Sequence, residues 1–337
     1  MTHDFTWRDG ERLIRFARGA VGEAPRLLAQ NGYHDYVLLT TDRARDSVPD
    51  LVESAATVAD VPPGKVDEIS ASLLLELDAE LDSLVAVGGG RVIDTAKAIA
   101  GAMGGHCAAI PTTLSGAELT PFHRLPAGVE GAQMVRPALV VADPELMTSA
   151  PLAGLVASAM NALAHAMEAL YTPLANPVTD GAALRSATLL ADGAGSDPPG
   201  REALALGALL AGYASGSTGI AVHHALCQTI VRATGSPHAE TNAVMLPHTA
   251  RLMAGNAPGP MSELALALGD RRGDPNAAAA ALAPLAARCG HTRLSTLGVT
   301  EDHLPGIVAL VAEHPLLANT PQPPGEEELL AVLKGAL

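Results

Sequence analysis

The chain has 337 residues, enough for two domains with substantial cores. Its formal net charge of −15 argues against nucleic acid or an anionic membrane as a partner, since both call for clustered Lys and Arg. Aromatics are only 2% within a hydrophobic content of 48%, so the core must be built from Ala, Leu and Val.

The N-terminal stretch MTHDFTWRDGERLIRF is charged and lacks the apolar centre of a secretory signal. No uninterrupted apolar run reaches the roughly 20 residues of a membrane span. Cys107, Cys227 and Cys289 are isolated and form no CxxC pair. They read as free thiols of a cytoplasmic protein.

Up to about residue 147, compact apolar runs alternate with helical patterns. YVLLTT (36–41), SLVAVG (83–88), CAAIPTT (107–113) and ALVVAD (138–143) suit strands buried on both faces of a parallel sheet. GEAPRLLAQNG and RVIDTAKAIAGAMGG supply helices between them, which makes a βαβ pattern. Beyond about residue 150 the strand signals stop. SAMNALAHAMEALY, DGAALRSATLLADG, REALALGALLAGYASG, NAVMLPHTARLMAGN and PNAAAAALAPLAARCG have helical spacing and break at Pro, Gly and Asp-Pro. The expectation is an α/β nucleotide-binding domain over 1–147 and an all-α domain over 148–337, with a ligand bound between them.

Between a strand and a helix lie Gly88, Gly89 and Gly90. They allow close backbone approach to a phosphate that faces the first N–H groups of the helix. The alternative is a tight turn that needs glycine only for its dihedral angles. Asp42, just after a strand, can accept from two ribose hydroxyls and would repel a 2′-phosphate, favouring NAD over NADP. It can equally be a solvent-facing turn residue. The loop from Thr112 to Thr120 reads either as a polar loop over a cofactor or as a capped turn after a strand.

The segments GGGRVIDTAKAIA, AIPTTLSGAELT, VVADPEL, NALAHAMEALY and HHALCQTIVRATGSPHAETNAVMLPH follow one another along nearly the whole chain. Together they resemble the iron-containing alcohol dehydrogenase superfamily, and within it the maleylacetate reductase branch. The resemblance implies a dehydroquinate-synthase-like fold with the active site in the cleft, and a cytoplasmic homodimer acting on a small molecule. It implies that a nicotinamide dinucleotide, NAD with NADP as the variant, is held by Asp42, Gly88, Gly89, Gly90, Arg91 and Asp94, and by Thr112, Thr113, Ser115 and Thr120. Arg91 stands where the family usually has Ser, Glu130 falls near a family Lys, and Gln228 replaces a usual His.

Under the same resemblance His165, His224 and His238 fall at positions where metal-dependent relatives hold an ion, but Asn161 stands in place of their Asp. The loss of the one anionic donor weakens a hard divalent ion most. The branch is thought to work without metal, so no metal is expected here. Without a metal the imidazoles must do the proton work, for which their ordinary pKa near neutrality suits them. His224 and His238 then protonate or stabilise a developing enolate or alkoxide, and His165 and Asn161 orient the substrate. His223 is a secondary candidate, and Gln228, one turn past His224, can hydrogen-bond without transferring protons. Arg185, Arg232 and Arg251 are the candidate cations for substrate carboxylates. Two other readings stay open: a metal-dependent alcohol dehydrogenase, and a non-redox dinucleotide-binding lyase or cyclase.

Overall fold

The computed structural model describes residues 3–77 and 83–337. They form two compact units, Met1–Ser149 and Ala150–Leu337.

The first unit is built on a seven-stranded sheet of order β1-β2-β7-β6-β5-β3-β4. Its strands are β1 (Phe5–Asp9), β2 (Arg12–Phe16), β3 (Tyr36–Thr40), β4 (Thr57–Asp60), β5 (Ser83–Gly88), β6 (His106–Pro111) and β7 (Leu139–Ala142). β1 and β2 form an antiparallel hairpin, and every other pairing is parallel. Helices α1 (Ala24–Gln30), α2 (Asp42–Arg45), α3 (Pro49–Ser54), α4 (Val66–Glu76), α5 (Gly90–Met103) and α6 (Pro144–Met147) complete it.

β3 and β5 are buried throughout, as expected of strands covered on both faces. Successive side chains alternate between two apolar clusters. Leu38, Val85 and Val87 join Leu27 and Leu28 on one side, while Val37, Leu39, Leu84 and Ala86 join Ile93 and Ile99 on the other. The four strands read from the sequence are present. The edge hairpin and β4 are additional. The hairpin turns at Gly10, whose φ of 61° suits the first position of a two-residue turn.

The second unit is helical: α7 (Leu152–Ala169), α8 (Pro177–Gly195), α9 (Arg201–Thr218), α10 (Val222–Thr234), α11 (His238–Asn256), α12 (Pro258–Ala267), α13 (Pro275–Ala287), α14 (Leu304–Ala312) and α15 (Glu326–Ala336). α7 is buried over most of its circumference and packs against α8, α9 and α11. That is why its sequence is apolar all round rather than on one stripe. α9 and α10 meet at a 100° bend beginning at Gly219, where φ is 87°. Asn319 donates to the carbonyl of Ile220 in that bend at 2.9 Å. Among the described residues no single helix is long and apolar enough to cross a membrane.

Candidate active site

In the α/β unit, the glycine loop and the threonine loop adjoin. The N–H of Thr112 donates to the Gly88 carbonyl at 2.9 Å. None of Gly88, Gly89 and Gly90 has a positive φ, so the turn does not need them for its dihedral angles. It needs them for space. A Cβ on Gly88 would lie 2.6 Å from Val92, one on Gly89 3.0 Å from Thr113, and one on Gly90 3.2 Å from Ser115. Gly89 is the N-cap of α5 and no side chain caps that helix, which leaves its first N–H groups available to an anion. The geometry fits the phosphates of a dinucleotide.

Arg91 is exposed on the first turn of α5, and Asp42 is exposed at the start of α2, 3.8 Å from Arg45. Asp94 accepts from Lys97 Nζ at 2.7 Å. Lys97 was not foreseen as a site residue. Its side chain is wholly buried and also donates to the carbonyls of Ala117 at 3.0 Å and Phe122 at 2.8 Å. It thus ties α5 to the threonine loop. In that loop Thr112, Thr113 and Ser115 are half-buried, and Thr120 is buried. Glu118 is fully buried there with no hydrogen-bond partner for either carboxyl oxygen. Burial pushes it up to about 7. Glu130 is exposed in an irregular segment.

In the helical unit, α7 and α10 bring together Asn161, His165 and His224. The rings of His165 and His224 stack at 4.4 Å between centroids with planes 15° apart. Three buried polar atoms in this group have no protein partner: Asn161 Oδ1, His165 Nδ1 and His224 Nε2. Buried polar atoms are normally paired, so three left open at one place mark a site for a polar ligand. Burial pushes His224 down to about 3, with a further contribution from His238. Burial, then the neighbouring His224, also holds His165 well below its ordinary value. Gln228 is half-buried on α10, one turn beyond His224.

His238 opens α11 and is exposed. Asn242 links it to His223: its amide nitrogen donates to His238 Nε2 at 3.3 Å and its oxygen accepts from His223 Nε2 at 3.0 Å. His223 itself is a correction to the sequence reading. Its other nitrogen meets Thr249 Oγ1 at 2.8 Å, so both ring nitrogens are engaged and neither is left for a substrate. Burial, the largest cause, holds it at about 3. It is a satisfied core histidine, placed about 100° around the helix from its neighbour. Arg185, Arg232 and Arg251 all lie on exposed helix surface.

The residue that the sequence reading missed here is Glu168. It is fully buried one turn along α7 from His165. Its Oε1 accepts from the backbone N–H of His223 at 2.7 Å and of His224 at 3.2 Å. Its Oε2 lies 2.5 Å from His224 Nδ1. Ala221, the N-cap of α10, provides no side-chain cap, so Glu168 caps that helix from outside. The available signal was a carboxylate in an otherwise apolar helix, where an acid is rarely buried without a specific partner.

These residues fit a divalent cation poorly. Among the described residues no three His, Cys, Asp or Glu side chains are disposed to share an ion. The His165 and His224 rings stack instead of converging, and Asn161 contributes no charge.

The α/β unit with its glycine loop ahead of a helix, and the helical unit with its buried histidine cluster, each match a family of oxidoreductases. The chain belongs to the iron-containing alcohol dehydrogenase family: the family's iron-containing alcohol dehydrogenase profile matches residues 15–151, and its C-terminal profile matches 155–337. The chain is 36% identical over 332 residues to maleylacetate reductase 1 of Rhodococcus opacus, covering 93% of this chain and 91% of that one. It is 33% identical over 347 residues to a maleylacetate reductase of Sphingobium indicum, covering 96% and 95%. The crystal structure of maleylacetate reductase from Agrobacterium tumefaciens superposes with a TM-score of 0.85 at 29% identity, covering 100% of this chain and 99% of that one.

Proposed function

We propose that this protein is a nicotinamide-dependent reductase of conjugated keto-acids such as maleylacetate, working without a metal ion. The observation that carries the reading is the open trio of Asn161 Oδ1, His165 Nδ1 and His224 Nε2 in a chain whose relatives over nine-tenths of its length are maleylacetate reductases. When bound, the dinucleotide supplies the hydride. Gly89, Gly90 and the uncapped start of α5 hold its phosphates, and exposed Asp42 receives the ribose hydroxyls, which favours NAD over NADP. Asn161 and His165 orient the substrate oxygens. His224 holds the proton that completes the reduction at Nε2. His238, which adds to the downward pull on both buried imidazoles, stands by as the more exposed proton carrier.

We place the protein in the cytoplasm as a homodimer, by analogy with the family. Direct tests are fluorescence titration with NADH and NADPH, then NADH oxidation over a panel of keto-acids and simple aldehydes. Tighter NADPH binding would overturn the Asp42 assignment. Turnover of aldehydes alone would favour an alcohol dehydrogenase.

A further inference from the structure

We propose that Glu168 is a positioning residue that lets a neutral His224 act as the proton donor through Nε2. The inference rests on the functional reading above for the identity of the substrate, and on the geometry of the helical unit for the rest.

Glu168 and His224 are both out of reach of solvent, and their Oε2 and Nδ1 atoms are 2.5 Å apart. A lone charge in such a place is costly, so the pair as a whole stays neutral. Burial pushes the carboxyl up and the imidazole down, which agrees with that neutrality. A neutral pair holds two protons. One lies between Oε2 and Nδ1, and the other must therefore be on Nε2, the atom left open toward the site. Tyr171 lies near the same carboxyl, and its phenol is held protonated, first by burial and then by the neighbouring Glu168. It supplies no competing base.

The proton balance follows. The substrate gains an electron pair with the hydride, and the proton leaves Nε2 for the substrate atom that carries that pair. The shared proton then settles on Nδ1, so imidazole stays neutral and the negative charge falls on Glu168. Two backbone N–H groups at the start of α10, those of His223 and His224, already point at Oε1 and hold that charge. After product leaves, a proton returns to Nε2 from solvent by way of the more exposed His238, which lies near enough to His224 to influence it. His223, with both nitrogens engaged, cannot replace its neighbour.

Glu168→Gln tests this. The amide is nearly isosteric and can still cap α10, so a purely structural role would survive the change. It cannot release or accept a proton at Nδ1. With NADH and maleylacetate, kcat should fall about 100-fold or more while KM stays within about threefold, the range expected for losing a proton donor. Binding of NADH should be unchanged. A kcat within about threefold of wild type would overturn the proposal. A second measurement needs no active variant: the imidazole ¹⁵N spectrum of the wild-type protein at neutral pH, with the His224 signals identified by their loss in His224→Gln. The expected result is a hydrogen-bearing Nε2. A bare Nε2 beside a hydrogen-bearing Nδ1 would overturn the proposal. If wild-type protein does not turn over maleylacetate, the functional reading fails, and the spectrum alone decides the role of Glu168.

Discussion

The stacked rings of His165 and His224, 4.4 Å apart, cannot both be charged. Neither is easily charged alone, because each sits in a buried site that holds it below its ordinary value. The same contact that shapes the candidate site therefore makes the helical unit sensitive to acid.

Burial holds His223 at about 3, below the ordinary 6.5 of the unfolded chain, and holds His165 down in the same direction. The contribution of these two histidines is present above about pH 6.5 and is lost as pH falls below it, because the unfolded state takes up the protons first. Urea unfolding followed on the helical signal should show a midpoint that falls steadily below about pH 6.5. The loss should amount to several kcal/mol by about pH 4, since each tenfold difference in proton affinity between the folded and unfolded chain is worth about 1.4 kcal/mol. A midpoint constant down to pH 4.5 would contradict this.

Glu118 acts with the opposite sign. Its folded pKa of about 7 lies above the ordinary 4.5, so the α/β unit is favoured at low pH and loses stability as pH rises through that window. Glu118→Gln should raise the stability of this unit by about 1–3 kcal/mol at pH 8 and by much less at pH 5. Thermal unfolding at the two pH values checks it, and an equal effect at both would count against a buried acid.

Asn161 leaves its Oδ1 without a partner although the residue is only 6% exposed. An unpaired buried acceptor costs stability, of the order of 1–3 kcal/mol. Asn161→Leu, similar in volume, should therefore leave the protein as stable or make it about 1 kcal/mol more so. The same change should raise KM for a keto-acid about tenfold or more, through the loss of a substrate hydrogen bond. A destabilised protein with unchanged KM would show Asn161 to be structural.

Gly88→Ala would put a methyl group 2.6 Å from the β-branched Val92. It should cost about 1–3 kcal/mol, as overpacking usually does, and should weaken NADH binding by shifting the start of α5. Gly90→Ala meets the small Ser115 at 3.2 Å and should cost less stability. Chemical denaturation and fluorescence titration of the two variants give the comparison.

The parts of the fold legible in the sequence were those whose local pattern and final burial agree. β3, β5, β6 and β7 are apolar because they are covered on both sides, helix α5 carries its periodicity openly, and α7 and α9 are long Ala/Leu-rich runs free of strand signals because they are buried nearly all round. The hairpin β1–β2 was harder, since its outer strand alternates between half-buried and exposed residues and is rich in charge. The Asp9-Gly10 pair was its one clear signal. β4 is short and half-exposed, with little apolar pattern to find.

At the site, the histidines and Asn161 could be picked out by type and spacing. What their nitrogens face could not, because that is set by contacts 55 and 56 residues away in the chain, from Glu168 to His223 and His224. The same applies to Lys97, whose ammonium is placed by carbonyls 20 and 25 residues further on. Periodicity reports which face of a helix is buried. It does not report which polar atom on that face remains open.

The most direct test of the account is the rate of NADH oxidation with maleylacetate, measured on protein as purified and again after exhaustive chelation, with elemental analysis of both samples. A neutral, stacked histidine site that moves protons by itself predicts turnover that survives chelation, with no stoichiometric zinc or iron before it. One zinc or iron per chain, lost together with activity and restored with it, would contradict the account.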